Sequence, residues 1–374
     1  MPLRIIMAGA NETGNGVPMA ATGRHFSNRS ALGRAVEKNT QIGTGTKIEF
    51  ASVPIRNGDG TPRPVQEIDS EVASLTQEAI RSSRRILLIV VDVSKTGMIA
   101  PSPECAFHLR DTNPDRIGVM IDACQFRLAP PSLHTYIARG AMVALTGSKF
   151  VTGPSFCGAL LVPKPLSLRY RAEVLPTALS AYTSRADWPK HWTGAATLAN
   201  AANFGLLLRW EAALCELKRF RAIPPDQVYG IVGRLGAVIE KQLSMQPGFQ
   251  PLPVPRIDRG LHTPMQWDSL QTIYPFFLMR RSADRKPVPL GHAETVSIHQ
   301  TLQTRQPGTL LPARCQLGQP VICADIDGVE VSALRICIGA RQVVEAASLG
   351  EAEVAKRAIA ALDLTAKALE RVMN

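Results

Sequence analysis

The chain has 374 residues, of which 45% are hydrophobic and 20% charged, an ordinary globular composition that allows one large core or two domains. Lysine and arginine together number 42 against 31 acidic residues, so the formal net charge is +11. Because the basic residues are scattered and aromatic residues make up only 5%, we interpret this charge as a solvated basic surface. A nucleic-acid-binding module is the weakest alternative, since no recognition motif accompanies the charge.

The cysteine and histidine patterns argue against a disulfide-bonded protein and against a metal-binding protein. The seven cysteines include no CxxC pair and several lie in apolar stretches, which predicts a reducing, cytoplasmic environment without a disulfide framework. The histidines are isolated, so the sequence indicates no metal site. Neither a signal peptide nor an apolar run of transmembrane length is visible, and we expect no membrane partner.

The first half of the chain alternates between strand-like and helix-like segments. Short apolar runs predict strands at 3–8, 47–53, 86–91, 117–121, 142–145 and 159–162. A helical periodicity covers 65–82. This alternation predicts an α/β fold with a mostly parallel sheet flanked by helices.

The pattern changes after residue 193. An Ala- and Leu-rich helical stretch at 193–219 is ended by Pro224-Pro225, and a second unit follows. In that unit we predict, in order, a helix at 227–246, a proline-rich stretch at 247–255, strands near 272–279 and 334–338, and a helix from Glu351. The chain is therefore predicted to contain a large domain at 1–222 and a smaller α+β C-terminal domain at 223–374.

Two ionisable side chains follow the ends of predicted buried strands. Lys149 lies in Thr146-Gly147-Ser148-Lys149, directly after the strand at 142–145, and Asp122 follows the strand at 117–121. In open α/β sheets such strand ends line the ligand crevice. An amine there can form a Schiff base, and a carboxylate can keep a pyridinium nitrogen protonated. The alternatives are a surface lysine and an aspartate that caps a helix.

The motifs around these two residues resemble those of one enzyme superfamily. Asp122-x-x-Gln125, the segment 146–149 and Gly153-Pro154 together resemble the pyridoxal-phosphate (PLP) enzymes of fold type I, in the class V aminotransferase and cysteine desulfurase superfamily. The resemblance implies a fold type I large domain and PLP as cofactor. It also implies that Lys149 carries the Schiff base and that Asp122 pairs with the pyridine nitrogen.

The resemblance extends to other cofactor contacts. It implies that Gln125 hydrogen-bonds the phenolic oxygen of the ring, and that Ser94 stands where the family usually has a ring-contacting polar residue, often Asn. Thr146 resembles a hydroxyl that contacts the phosphate. Ser148 also lies at a phosphate-contacting position, but it replaces a histidine that cysteine desulfurases carry. These departures favour a relative of the desulfurases over a desulfurase.

Four further residues are site candidates. Glu12 or Thr13 occupies the place after the first strand where the family commonly stacks a histidine over the ring; a plain Gly-rich turn is the alternative. His25 is a candidate for substrate binding and acid–base chemistry, although a structural role is common for such a histidine. Arg335 resembles the arginine that binds the substrate α-carboxylate, the alternative being a solvated edge-strand arginine.

The sequence contains no recognisable counterpart of one element of this superfamily. In that family a Ser/Gly/Thr-rich turn that opens a helix binds the phosphate and lies upstream of the strand at 3–8. We therefore expect a truncated sequence, a partner chain that supplies the turn, or a degenerate member of the superfamily.

The function predicted from these residues is a PLP-dependent enzyme acting on an amino acid or amine. Transamination, elimination and desulfuration share their first steps, so all three stay open. The alternative is a non-catalytic or partner-dependent subunit, either a pseudoenzyme or half of a split enzyme. The resemblance implies a homodimer, or a heteromer if another chain carries the phosphate-binding turn.

Overall fold

The computed structural model describes residues 2–43, 47–260, 266–281, 286–304 and 315–373. The first half of the chain forms a six-stranded sheet in the order β2-β1-β3-β4-β5-β6. Its strands are β1 (Leu3–Ala8), β2 (Ile48–Val53), β3 (Arg85–Val91), β4 (Ile117–Ala123), β5 (Met142–Thr146) and β6 (Gly158–Leu161). The pairs from β2 through β5 are parallel, and β6 is antiparallel to β5. The predicted α/β class with a mostly parallel sheet is confirmed.

Within the described ranges, six helices accompany this sheet, and several of them pack on its strands through apolar side chains. In order they are α1 (Val17–Ala21), α2 (Val65–Arg81), α3 (Pro103–Thr112), α4 (Pro130–Ala138), α5 (Lys164–Tyr170) and α6 (Phe204–Arg221). In α2 the buried side chains Ile68, Val72, Thr76 and Ala79 recur every three or four residues, so they form one stripe against the strands. The central strand β3 is aliphatic from Ile86 to Val91 because both of its faces are largely buried, whereas the edge strand β2 contains Glu49 and Ser52.

The prediction of one helix over 193–219 was wrong. A short 3-10 helix covers Thr193–Thr197, and α6 begins only at Phe204. Asn203 is the physical reason for that start, because its side chain accepts a hydrogen bond of 3.2 Å from the backbone N–H of Leu206. An asparagine cap satisfies a free N–H of the first turn and thereby sets where the helix begins.

The second half of the chain forms an antiparallel sheet in the order β10-β11-β8-β7, with β9 paired to β8. These strands are β7 (Phe249–Pro251), β8 (Ile273–Arg281), β9 (Pro287–Pro289), β10 (Gly318–Ile326) and β11 (Val329–Cys337). Its helices are α7 (Pro225–Met245), α8 (His292–Gln303), α9 (Ala340–Leu349) and α10 (Glu351–Met373). None of the helices in the described ranges is both long and apolar enough to cross a membrane.

The two sheets share packing, so the domain boundary near residue 223 stays a prediction. The chain breaks between α6 and α7 at Pro224, as predicted from the proline pair. However, α6 packs against α9, and a single apolar cluster contains Phe150 of the first half and Phe276 of the second.

Strand β6 is the edge of the first sheet. It pairs with β5, and no described residue pairs with its other side. Three of its four residues are exposed, and Leu160 leaves half of its surface open to solvent. Helix α6 lies alongside, because the Trp210 indole N–H donates to the carbonyl of Gly158 over 3.2 Å.

A buried polar cluster joins the two halves. The guanidinium of Arg259 donates two hydrogen bonds of 2.8 Å to the carboxylate of Asp92, which follows β3. The Tyr136 hydroxyl donates to the same carboxylate over 2.7 Å, and Arg259 also donates to the carbonyl of Arg127. All of these side chains are buried. The cluster therefore holds the segment before β8 against the carboxyl ends of β3 and β4.

Candidate active site

A cavity of about 990 Å³ lies at the carboxyl ends of the parallel strands, where loops after β1, β3, β4 and β5 meet the second sheet and α9. This is the usual position of a ligand crevice in an open α/β sheet. Eight of the ten predicted site residues line it, namely Glu12, Thr13, Ser94, Asp122, Gln125, Ser148, Lys149 and Arg335. The topology thus brings together residues that are far apart in the sequence.

Lys149 and Asp122 both have unused bonding capacity in this cavity. The Lys149 side chain is exposed, and no described residue pairs with its amine. Asp122 is half-buried, and its Oδ1 accepts one hydrogen bond of 3.1 Å from the backbone N–H of Cys124. Cys124 is exposed as a whole, but desolvation around its sulfur first, and then the Asp122 charge, raise the pKa of its thiol, while Lys149 opposes the change. The thiol is therefore a neutral neighbour of both groups at physiological pH.

The glycines around Lys149 allow the strand-end loop to pack closely on α6. A Cβ at Gly147 would lie 2.5 Å from the Cβ of Ala213, and one at Gly153 would lie 2.7 Å from the same atom. Real side chains cannot approach so closely, so both positions require glycine. The backbone N–H of Phe150 also donates to the carbonyl of Gln125, which ties this loop to the one after β4.

Glu12 is held in a buried network. Its Oε1 accepts from Arg56 over 2.6 Å, and its Oε2 accepts from the hydroxyls of Ser94 and Thr96. A buried carboxylate needs such partners, because its charge would otherwise be costly. The predicted ring-contact residue Ser94 therefore uses its hydroxyl proton on Glu12, while Thr13 donates its own hydroxyl proton to the carbonyl of Ala10.

Two predicted residues are not brought into the lining. The Thr146 hydroxyl donates to the carbonyl of Cys157 over 2.9 Å and lies 2.9 Å from the Ser148 hydroxyl, so it reaches the cavity through Ser148. His25 lies elsewhere: its ring stacks on Tyr182 with centroids 5.4 Å apart, and its Nδ1 is 2.5 Å from the tyrosine hydroxyl. The structure therefore places His25 against Tyr182 and does not bring it to the cavity.

Arg335 crosses from β11 to the strand-end loops. Its Nη1 donates to the carbonyl of Lys95 over 2.8 Å and its Nη2 donates to that of Gln319 over 3.0 Å. Its Nε has no partner in the described residues and faces Gly318, where a Cβ would lie only 2.7 Å away. The side chain is thus oriented by main-chain carbonyls, and its charge is not matched by a described carboxylate.

Sequence reasoning missed several cations of this cavity, of which Lys95 and Arg127 lie next to predicted residues. Lys95 directly follows Ser94 and lines the cavity, so the strand-end argument that found Ser94 could also have found it. Arg127 lies two residues after Gln125 and donates to the carbonyl of Ile338 over 2.7 Å, with its guanidinium 5.3 Å from the Phe150 ring centre. Burial lowers the pKa of Arg127 to about 10. Nothing in the local sequence signals that cross-sheet contact.

The donor set fits the ring end of a PLP molecule. One cavity is lined by the free amine of Lys149, the carboxylate of Asp122 and the half-buried amide of Gln125. These groups match, in that order, the aldehyde, the pyridinium nitrogen and the phenolic oxygen of PLP. At the phosphate end the lining offers the Ser148 hydroxyl, with Thr146 behind it. The ring contacts are therefore better provided among the described residues than the phosphate contacts.

No family model matches the chain, and no curated protein matches it. Among solved structures, the cystine C–S lyase C-DES in complex with cysteine persulfide is 14% identical, with a TM-score of 0.52 over 98% of this chain and 75% of that one. Oryza sativa TDC with PLP and tryptamine is 12% identical, with a TM-score of 0.50 over 100% and 61%.

These similarities show the fold. At such low identity they do not extend to activity. The chain spans about three fifths of the length of the Oryza sativa protein and of Catharanthus roseus tryptophan decarboxylase, at 61% and 62%. Its architecture is that of the PLP-dependent enzymes of fold type I, with a second, antiparallel sheet.

Proposed function

We propose that this protein is a PLP-dependent enzyme that acts on an amino acid or amine. The observation that carries the proposal is the meeting of an unpaired amine, Lys149, with an incompletely bonded carboxylate, Asp122, in one cavity at the strand ends. The fold supports it, since the similar Oryza sativa structure contains PLP.

Each residue has a role toward the cofactor. Lys149 would hold it through its amine, and Asp122 would pair with the protonated ring nitrogen, where the negative charge keeps the proton in place. Gln125 would donate to the ring oxygen, and Ser148 with Thr146 would contact the phosphate. When bound, PLP supplies an electron sink for bond cleavage at the substrate Cα. Glu12, with both carboxylate oxygens occupied, is left as a support of the cavity wall.

Arg335 would bind the substrate carboxylate. It is buried, it lines the cavity, and neutral carbonyls orient it without cancelling its charge. A carboxylate would supply the missing charge and accept further N–H bonds. The preferred substrates would therefore be amino acids, with simple amines bound more weakly.

The first experiment is covalent labelling. The protein is incubated with PLP, reduced with borohydride and digested, and the label is expected on the peptide that contains Lys149. A Lys149→Ala variant should lose the label, whereas Lys367→Met, which removes an exposed lysine of α10, should keep it. Label spread over surface lysines, or retained in Lys149→Ala, would reject Lys149 as the cofactor residue.

The reaction class is the finer part of the proposal. We infer chemistry like that of the class V aminotransferases. Transamination, elimination and desulfuration are the three candidate reactions. The similar structures include a C–S lyase, so cystine belongs in the first substrate panel. Release of keto acid, sulfide or carbon dioxide from each amino acid distinguishes the reactions. If labelled protein releases none of them, the partner-dependent or non-catalytic alternative is favoured.

A further inference from the structure

Lys95 is held inside the cavity by contacts at three of its groups. Its backbone N–H donates to the carbonyl of Glu12 over 2.9 Å, and its own carbonyl accepts from Arg335 over 2.8 Å. Its ammonium donates to the side-chain oxygen of Asn15 over 3.1 Å. The side chain is half-buried and lines the cavity beside Arg335. An ammonium has three N–H donors, so two remain after the bond to Asn15.

The charges around Lys95 are unbalanced. Arg335 on β11 and Lys149 after β5 are positive, and the negative groups near it are Glu12 after β1 and, if ionised, Cys323 on β10. The carboxylate of Glu12 is already bound to Arg56 and two hydroxyls. Neither Lys95 nor Arg335 forms an ion pair with an acid in the described part of the chain. Two cations therefore share one wall of the cavity without an anion.

We propose that Lys95 and Arg335 together bind the carboxylate of the substrate. The inference deepens the proposed function, because it assigns a second cation to substrate recognition. An anion between the two groups would relieve their repulsion and accept charge-assisted hydrogen bonds from both. Asn15 would orient the ammonium, and the carbonyl of Lys95 would orient the guanidinium.

The pKa of Lys95 gives this site a pH dependence. Burial, followed by the charges of Arg335 and Lys149, lowers that pKa from 10.5 to about 8, against the opposing effects of Glu12 and Cys323. A bound anion would raise it again, so binding near pH 8 should be accompanied by proton uptake. Affinity should fall as the pH rises above about 8, because the free lysine becomes neutral. An arginine-only site would show neither effect in this range, since a guanidinium stays charged.

Calorimetry with succinate tests the proposal on the full chain without added cofactor. Titrations at pH 7, 8 and 9, each in two buffers of different ionisation enthalpy, give both the affinity and the protons taken up. The wild-type protein should bind succinate, take up protons near pH 8, and lose roughly threefold in affinity between pH 8 and 9. Lys95→Met should bind about tenfold more weakly at pH 7 and show no uptake.

Two further variants separate the effect of charge from that of titration. Lys95→Arg should recover much of the affinity but not its fall with pH, because arginine does not titrate there. Lys367→Met, which removes an exposed charge of α10, should behave as the wild type. Melting curves of each variant show whether it is folded.

The proposal is overturned if the wild type does not bind succinate, if Lys95→Met binds it equally well, or if proton uptake persists in Lys95→Met. These titrations do not involve Lys149 labelling. Failure of the cofactor proposal and failure of this one are therefore separate results.

Discussion

At the scale of single residues, the acids of the cavity differ in how many of their oxygens are occupied. Glu12 is bound by Arg56 and two hydroxyls, and Glu345 is paired with Arg357 at 3.1 Å. Asp122 accepts one backbone N–H and has capacity left. The free energy of a buried or half-buried carboxylate depends on such partners, which makes Asp122 the acid best placed to take up a new cation.

Replacing Asp122 by asparagine should damage chemistry more than folding. The amide has nearly the same shape but cannot stabilise a pyridinium, so we expect turnover to fall at least about tenfold. The melting temperature should change little, since Asp122 makes a single hydrogen bond to the backbone. Steady-state assays and thermal melting of Asp122→Asn measure the two effects. Unchanged turnover would remove Asp122 from the ring-nitrogen role.

Arg335→Lys should weaken the binding of amino acids without preventing cofactor attachment. Lysine keeps the charge but loses the planar fork, and it cannot donate to both the Lys95 and Gln319 carbonyls and still pair with a ligand. The expected loss is roughly 1–3 kcal/mol in binding free energy. Affinity for an amino acid and borohydride labelling of Lys149 are measured on the same preparation. Equal affinity in the variant would contradict the assignment.

Lys95 should also affect stability as a function of pH. Its pKa is lowered from 10.5 to about 8 in the folded protein, so between these values the unfolded chain binds more protons. The contribution of Lys95 to the free energy of unfolding therefore rises from pH 8 to 10.5. Lys95→Met should lose this slope and be more stable below pH 8 by on the order of 1–2 kcal/mol, after discounting for solvent screening. Denaturant unfolding at pH 7, 9 and 10.5 checks it.

At the scale of elements, strands were predicted well where both faces are buried. The runs that became β1, β3, β4 and β5 are mostly apolar, and β3 is aliphatic from Ile86 to Val91, which leaves little ambiguity. Strand β10 was not predicted, because its exposed and buried residues are mixed and it contains a proline. Asp327-Gly328, with positive φ at both residues, is the turn that joins β10 to β11. An Asp-Gly pair is a strong hairpin signal, and it was available in the sequence.

Some residues of the site could also be predicted from local sequence, and others could not. Lys149 and Asp122 could be predicted because they directly follow recognisable strands. The pairing of Asp92 with Arg259 could not, because 167 residues separate them and only the folded chain brings them together. His25 could not be placed either, since its partner Tyr182 comes from a loop more than 150 residues away. Such contacts depend on topology and leave no local pattern.

The buried cluster around Arg259 should dominate stability. Asp92→Ala would leave the Arg259 guanidinium and the Tyr136 hydroxyl without their shared acceptor. Breaking a buried ion pair from one side costs about 3–5 kcal/mol. The matched control is Asp115→Ala, because Asp115 is exposed and no described residue pairs with its side chain; this change should alter stability by about 0.5 kcal/mol or less. Denaturant unfolding of both variants measures the difference, and equal stabilities would contradict this account of the cluster.

At the scale of the whole molecule, the fold carries an expectation about assembly. We expect a homodimer, or a heteromer with a chain that supplies phosphate contacts, because fold type I resemblance implies paired subunits and two-fold pairing is common. The open edge of β6 and the exposed Phe156, Phe204 and Leu208 are surfaces that an interface could cover. Light-scattering mass over a range of concentrations decides the question. A monomer that carries the Lys149 label and turns over substrate would contradict the prediction.

The arginines that cross between the two sheets have a consequence for how quickly a ligand can bind. Arg127 and Arg335 donate to main-chain carbonyls on the opposite side of the cavity, and Arg259 donates to the carboxylate of Asp92. Moving the second sheet away from the first would break all of these hydrogen bonds at once, with a free-energy cost comparable to that of partial unfolding. The cavity is therefore ordered before a ligand arrives, and the entropy of arranging its walls is lost during folding. Association should then be limited by diffusion through the opening, with little dependence on closure of the two halves.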